Sequence, residues 1–177
     1  MQRSQSGGFT LIEVLVALFV LALGVAGAAS TQLSSARLRQ QAALESEAVQ
    51  LAASLGARMR VNAAQMALPD ASNSYLGFDY DAAGGEPDAP PAECFGTSCN
   101  PAQLAAFDLY EAARIVYGAF PGGRIAVCRD AAGWNAASTS FEWTCSGGLG
   151  APVVVKLGWH TPGASTAPPL VVMVVAA

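Results

Sequence analysis

One carboxylate stands inside an otherwise apolar run near the start of the chain. From Phe9 to Ala29 the sequence FTLIEVLVALFVLALGVAGAA contains a single charged residue, Glu13. About 20 helical residues cross the hydrocarbon of a bilayer, so this run predicts a transmembrane helix. A charge in the bilayer interior costs roughly 2.5 to 3.5 kcal/mol, and the run contains no Lys or Arg. The expected chemistry at Glu13 is therefore an ion pair with a cation from a lipid headgroup, another chain or a newly created amine.

The remaining candidates for chemistry are weaker. His160 is the only histidine and has no nucleophile motif near it, so we expect no catalytic residue and no enzymatic activity. A zinc site is disfavoured because the chain has one His and no C-x2-C pair. The stretch DYDAAGGEPD, residues 79–88, partly follows a calcium loop, but Ala83 takes the third ligand position and Pro90 the closing one. We expect a solvated acidic loop and no cofactor, and calcium stays open as an alternative.

Four cysteines indicate the compartment of the second part of the chain. They all follow the apolar run, and an even number beyond a membrane helix favours disulfides in an oxidising compartment. Cys94 and Cys99 are close in sequence, while Cys128 and Cys145 end two predicted strands that we expect to be neighbours. We favour bridges within these two pairs, and a crossed pairing remains the alternative.

The charge of the chain argues against a nucleic-acid partner. Thirteen acidic and nine basic residues give a formal charge of -4, and the stretch from residue 70 to residue 93 contains six acidic residues and no Lys or Arg. Phosphate backbones are bound through Lys and Arg clusters, which this balance does not supply.

The helix that starts in the apolar run is predicted to continue well beyond it. No proline occurs between Ala29 and Pro69, so we expect one continuous helix from Phe9 to about Asn62. Its second half has a single apolar stripe at steps of three and four residues, formed by Leu44, Ala48, Leu51, Leu55 and Met59. This stripe predicts that the second half packs against one partner.

The rest of the chain predicts a loop region, one helix and a sheet. Residues 68–101 are rich in turn formers, and Asn100 with Pro101 and Gln103 has the pattern of a capped helix start. Four short runs rich in β-branched and aromatic residues follow: RIAVC, SFEWTC, PVVVKLGW and PLVVMVV. We therefore predict an α+β fold with a long N-terminal helix packed against an antiparallel sheet of about four strands. In the third run, Lys156 and His160 lie on the face opposite the apolar one.

The segment GFTLIE, from Gly8 to Glu13, resembles the processing signature of type IV prepilins and type II secretion pseudopilins. The resemblance implies cleavage between Gly8 and Phe9 by a prepilin peptidase, which also methylates the new amine of Phe9. It further implies that this amine pairs with Glu13 of a neighbouring subunit in a filament, which would supply the missing cation.

The same resemblance implies a division of the chain and a location. Residues 1–8 would be the leader, residues 9–62 the long helix with its transmembrane part at 9–29, and residues 63–177 a pilin-like head. The protein would sit in the inner membrane with a single span and its head in the periplasm, and would later be part of an extracellular pilus.

Several blocks resemble minor pilins of the PilV type: ARMRVN, AQLAAFDLYEAARI, PGGRIAVC and VVVKLGW. The resemblance implies a structural subunit that primes assembly of type IV pili and supports twitching motility and adhesion. Its partners would be other minor and major pilins, the prepilin peptidase and the inner-membrane assembly platform. The chain ends differently, with HTPGASTAPPLVVMVVAA after the last block. Two alternatives remain, an I-type minor pseudopilin of type II secretion and a pilus-tip adhesin that uses the loop at 70–99.

Overall fold

The computed structural model describes residues 10–148, 150–161 and 168–176. Three helices, α1 to α3, cover Leu11–Val61, Ala63–Met66 and Pro101–Ala119. The six strands, numbered in chain order, are β1 Phe78–Asp81, β2 Arg124–Arg129, β3 Trp134–Asn135, β4 Ser140–Phe141, β5 Val153–Gly158 and β6 Val171–Ala176; β1 precedes α3 and the other five come after it. Internal contacts divide the chain after Ala43 into two compact units, the first helical in its described part and the second containing both sheets.

Helix α1 ends where the sequence predicts. It stops at Val61, one residue before Asn62. Its buried residues all lie in its last part and have the predicted spacing: Ala48, Leu51, Ala52, Leu55, Gly56 and Met59. Leu44, the first residue of the predicted stripe, is half-buried against the same core. The amphipathic pattern of this part is therefore confirmed.

The main sheet has four antiparallel strands in the order β1-β2-β5-β6. The predicted α+β class, a long helix packed on a four-stranded antiparallel sheet, is confirmed. One of its strands was assigned wrongly from the sequence. The run SFEWTC contributes only Ser140–Phe141, which pairs with β3 in a separate two-stranded sheet. The fourth strand of the main sheet is β1, inside the region predicted as loop, where Phe78 and Tyr80 pack on the core.

One face of the main sheet forms the core with the two long helices. Ile125 and Val127 of β2 and Val155 and Leu157 of β5 are at most 1% exposed. They form one cluster with the α1 stripe and with residues of α3, which are Ala105, Leu109, Ala112 and Val116. Burial of this apolar area, at about 25 cal/mol per Å², is the main stabilising contribution to this unit.

Helix α3 starts as the sequence predicts. The Asn100 side chain accepts a hydrogen bond from the Gln103 N–H at 2.9 Å, and the Gln103 side chain accepts one from the Asn100 N–H at 3.0 Å. Pro101 occupies the first turn, where a missing N–H costs nothing. Tyr117, near the end of this helix, is 47% exposed.

A buried polar cluster joins α1, α3 and the loop between them. Asp108 of α3 accepts a hydrogen bond from the Arg58 guanidinium at 3.0 Å and another from the Tyr75 hydroxyl at 2.7 Å. The Asn62 amide donates to the same hydroxyl and to the Pro101 carbonyl. Burial, followed by the hydrogen bond to Asp108, raises the pKa of Tyr75 above its usual value. The phenol therefore stays neutral and acts as a donor to the carboxylate.

The opposite face of the sheet is also covered, which the sequence did not reveal. Lys156 of β5 lies on that face as predicted but is fully buried. Its ammonium lies 2.5 Å from Oδ2 of Asp130 and donates to the carbonyls of Glu142 and Thr144 at 2.7 and 2.9 Å. Two of the N–H groups thus have carbonyl acceptors, and the Asp130 carboxylate pairs with the charge. The segment 130–146, which includes β3 and β4, is tied over the sheet by these contacts.

Both predicted disulfide pairs are present, Cys94 with Cys99 and Cys128 with Cys145. The second bridge fastens the end of segment 130–146 to β2. Cys145 follows β4 without lying in a strand, so only Cys128 has the strand position expected for it.

Gly56 gives a first testable prediction, because β6 packs directly on the helix backbone there. A Cβ atom at this position would lie 2.7 Å from Cγ1 of Val175, a distance that forces a shift. We expect Gly56→Ala to lower the free energy of unfolding by about 1 to 3 kcal/mol. Gly118 in α3 has open space around it and is the matched control. Gly118→Ala should leave stability unchanged or raise it by up to about 1 kcal/mol. Denaturant unfolding in detergent would measure both, and equal effects would contradict the packing argument.

The Asp130–Lys156 pair gives a second prediction, on acid stability. Burial by itself raises the pKa of Asp130, but hydrogen bonds with Lys156 and the N–H groups of Ala132 and Ser146 outweigh it and lower the pKa to about 2. The pKa of Asp130 is lower in the folded protein than in the unfolded chain, so the ionised carboxylate stabilises the fold. This stabilisation is present above about pH 4 and is lost as the pH falls through 2. The loss is about 2 kcal/mol, from 1.36 kcal/mol per pKa unit. The double variant Asp130→Leu, Lys156→Met should lack this part of the pH dependence, and an unchanged acid profile would refute the assignment.

Candidate assembly site

The candidate site is the first turn of α1, where Glu13 lies. The N–H groups of Glu13 and Val14 donate to the Thr10 carbonyl at 3.0 and 3.4 Å, which fixes this turn. The carboxylate therefore stands near the positive end of the helix dipole, where a negative charge is favoured. Its neighbours Leu11 and Ile12 are 83% and 71% exposed. Glu13 thus lies on an exposed apolar surface.

Glu13 has no ion pair or side-chain hydrogen bond with any described residue. The first basic residue after it is Arg37, more than six helical turns away, so α1 itself cannot neutralise the carboxylate. A partner must come from outside the described part of the chain. Gly8 and Phe9, the predicted processing residues, lie outside the described residues, so the geometry of the site is known for Glu13 alone.

The surface that follows Glu13 suits a lipid environment. Helix α1 is long and apolar enough to cross a membrane, and the side chains of its most apolar part are all exposed. The first hydroxyl groups beyond it, on Ser30 and Thr31, donate to the carbonyls of Gly27 and Ala28 one turn earlier. Such bonds satisfy polar groups within the helix, as a low-dielectric surrounding requires.

The acidic stretch considered for calcium has other partners. Asp79 lies in β1 and forms a two-point ion pair with Arg124, with distances of 2.8 and 2.5 Å. Asp81 accepts a hydrogen bond from the Ala83 N–H at 2.8 Å. Within the described ranges, no three His, Cys, Asp or Glu side chains are grouped as metal ligands. The structure therefore gives no support to the calcium alternative.

His160 is exposed and stands at a turn. Its backbone N–H donates to the Pro121 carbonyl at 2.9 Å, and its ring packs so closely on Gly122 that a Cβ there would lie 2.1 Å from Nδ1. Gly122 has φ +56, a conformation that itself favours glycine. These contacts of His160 are those of a turn residue.

Comparison with known proteins bears on the N-terminal part. Residues 3–29 match the family model described as the prokaryotic N-terminal methylation motif. No curated protein and no solved structure matches the chain at a significant level. The matched stretch contains Gly8, Phe9 and Glu13. It supports membership of the chain in the type IV pilin family, which includes the pseudopilins.

Proposed function

We propose that the protein is a PilV-like minor pilin, a structural subunit that primes type IV pilus assembly in the inner membrane and then enters the pilus. The observation that carries the proposal is Glu13, a carboxylate in the first turn of an apolar helix and inside a methylation motif, without a partner among the described residues. In a bundle of such helices, the methylated amine of Phe9 from one subunit neutralises Glu13 of the next. Two charges that would each be costly in lipid then enter it as a pair.

In this proposal the head stays in the periplasm, as disulfides at Cys94–Cys99 and Cys128–Cys145 require an oxidising compartment. The protein is a substrate of prepilin peptidase and has no catalytic residue of its own. Its partners are other minor and major pilins and the assembly platform in the inner membrane. The division into a leader at 1–8, a helix to residue 62 and a head at 63–177 belongs to this proposal.

The second candidate function is an I-type minor pseudopilin of a type II secretion system, because the N-terminal motif is common to both groups. Deletion of the gene distinguishes the two. A minor pilin predicts fewer surface pili and reduced twitching motility with normal protein secretion. Normal piliation with impaired secretion would assign the protein to the secretion system.

The processing part of the proposal predicts that Gly8→Ala blocks cleavage, because the peptidase would act at the bond after Gly8. The full-length chain should accumulate in membranes and migrate as the larger form in gel electrophoresis. Gly7→Ala, one residue earlier, is the matched control and should be processed. A Gly8→Ala chain of mature size would contradict the assigned role of Gly8.

The pairing part predicts that Glu13→Gln inserts in the membrane and is processed but assembles poorly. Glutamine keeps the size of the side chain and removes its charge, so the neighbouring amine is left without a counterion. We expect at least about a tenfold decrease in the amount found in sheared filaments, relative to the membrane pool. Glu47→Gln, an exposed position further along α1, is the control and should have no such effect. Equal incorporation of both variants would exclude the ion pair as the driving interaction.

A further inference from the structure

Segment 130–146 lies over the main sheet, on the face opposite the core, and buries almost no apolar side chain. The structure describes every residue of this segment, and Asp130 is the only buried one. The core cluster on the other face of the sheet contains none of its residues. Segments with few buried apolar contacts open at a lower free energy than the core beside them. The sheet does not need this segment for its core, so the segment can open by itself.

The polar contacts of one lysine hold the segment in place. Lys156 is the only lysine of the chain and is fully buried beneath the segment. Its ammonium pairs with Asp130 and donates to the carbonyls of Glu142 and Thr144, so these three partners all belong to the segment. A charge buried without partners is costly. If the segment opens, water must replace the two carbonyls, and the ammonium becomes accessible.

The second disulfide fixes the end of the segment that carries these two carbonyls. Cys145 comes one residue after Thr144 and three after Glu142. It is bonded to Cys128 of β2, 17 positions earlier, and the other end of the segment continues directly from β2. With both ends held at β2, the carbonyls stay close to the ammonium.

Loss of this bridge would free one end of the segment. Loop-closure entropy would then oppose the return of the carbonyls to the ammonium. For a loop of about 15 residues, this entropy corresponds to a shift on the order of a hundredfold in the equilibrium between closed and open states. The bridge therefore controls whether Lys156 is covered.

We propose that segment 130–146 is a redox-controlled cover for Lys156, closed when Cys128 and Cys145 are bonded and open when they are reduced. Reduction by a dithiol breaks the sulfur–sulfur bond and transfers two electrons and two protons to the two cysteines, and the dithiol becomes a disulfide. The main sheet and its core persist in both states, and only the reduced state presents the ammonium. The inference concerns the head and does not depend on processing at Gly8 or on the pairing of Glu13.

Amine labelling of the purified full chain in detergent micelles tests the proposal, because the chain has a single lysine. The wild-type chain and the double variant Cys128→Ser, Cys145→Ser are treated with an acetylating reagent, and peptide mass spectrometry measures the labelling rate at Lys156. We expect the rate to be at least about tenfold higher in the variant. The double variant Cys94→Ser, Cys99→Ser lacks the other bridge instead. It is the matched control and should label at the wild-type rate.

Hydrogen exchange in the same samples separates opening of the segment from unfolding of the head. The amides of the ladder between β2 and β5 should stay protected in the Cys128→Ser, Cys145→Ser chain. Loss of that protection together with faster labelling would overturn the proposal, because the bridge would then only stabilise the whole fold. An unchanged labelling rate, or equal acceleration in the control, would also overturn it.

A second comparison keeps the test decisive if the serine variant does not fold. In the folded Cys94→Ser, Cys99→Ser chain, Cys128–Cys145 is the one remaining bridge. Reduction of this chain with dithiothreitol, followed by removal of the reductant, should raise the labelling rate of Lys156 at least about tenfold. Reoxidation before labelling should restore the slow rate. A rate that does not respond to reduction would contradict a redox-controlled cover.

Discussion

The folded head depends on how closely the last part of α1 approaches the sheet. Small residues at Ala48, Ala52 and Gly56 recur every four positions along α1, and all three are buried. At Gly56 the absence of a side chain allows Val175 to lie against the helix backbone. Gly56 lowers helix propensity by about 1 kcal/mol relative to Ala, and its presence in the middle of α1 is explained by this contact. A helix with larger side chains there could not be covered by the same strands.

Local features of the sequence predicted much of this architecture. The α1 stripe and the capped start of α3 depend on residues three or four positions apart, so they can be recognised without knowledge of the fold. Strand β1 could not be recognised in this way. It has only four residues, too few to show an alternating pattern, and the sequence around it is rich in Pro, Gly and Asp. The role of Lys156 was also hidden. Its partner Asp130 is 26 positions earlier, and only the folded segment 130–146 brings the two together.

The candidate site was identified from the sequence by one energetic conflict, a carboxylate in an apolar helix. The structure adds that Glu13 has no partner within the described residues and that no base of α1 is near it. The sequence blocks around Arg58 and Asp108 suggested a family resemblance without a role, and their contact gives them one. Together with Tyr75 they fasten the last part of α1 to α3 within the second compact unit.

The central claim is that a new amine at Phe9, created by cleavage and methylated, neutralises Glu13 of an adjacent subunit. Mass spectrometry of the N-terminal peptide from protein isolated from membranes tests its first requirement directly. The account predicts a mature chain that begins with N-methylated Phe9. A chain that retains Met1 and the leader would have no such amine next to the apolar helix. That result would contradict both the ion pair and the assignment to a filament.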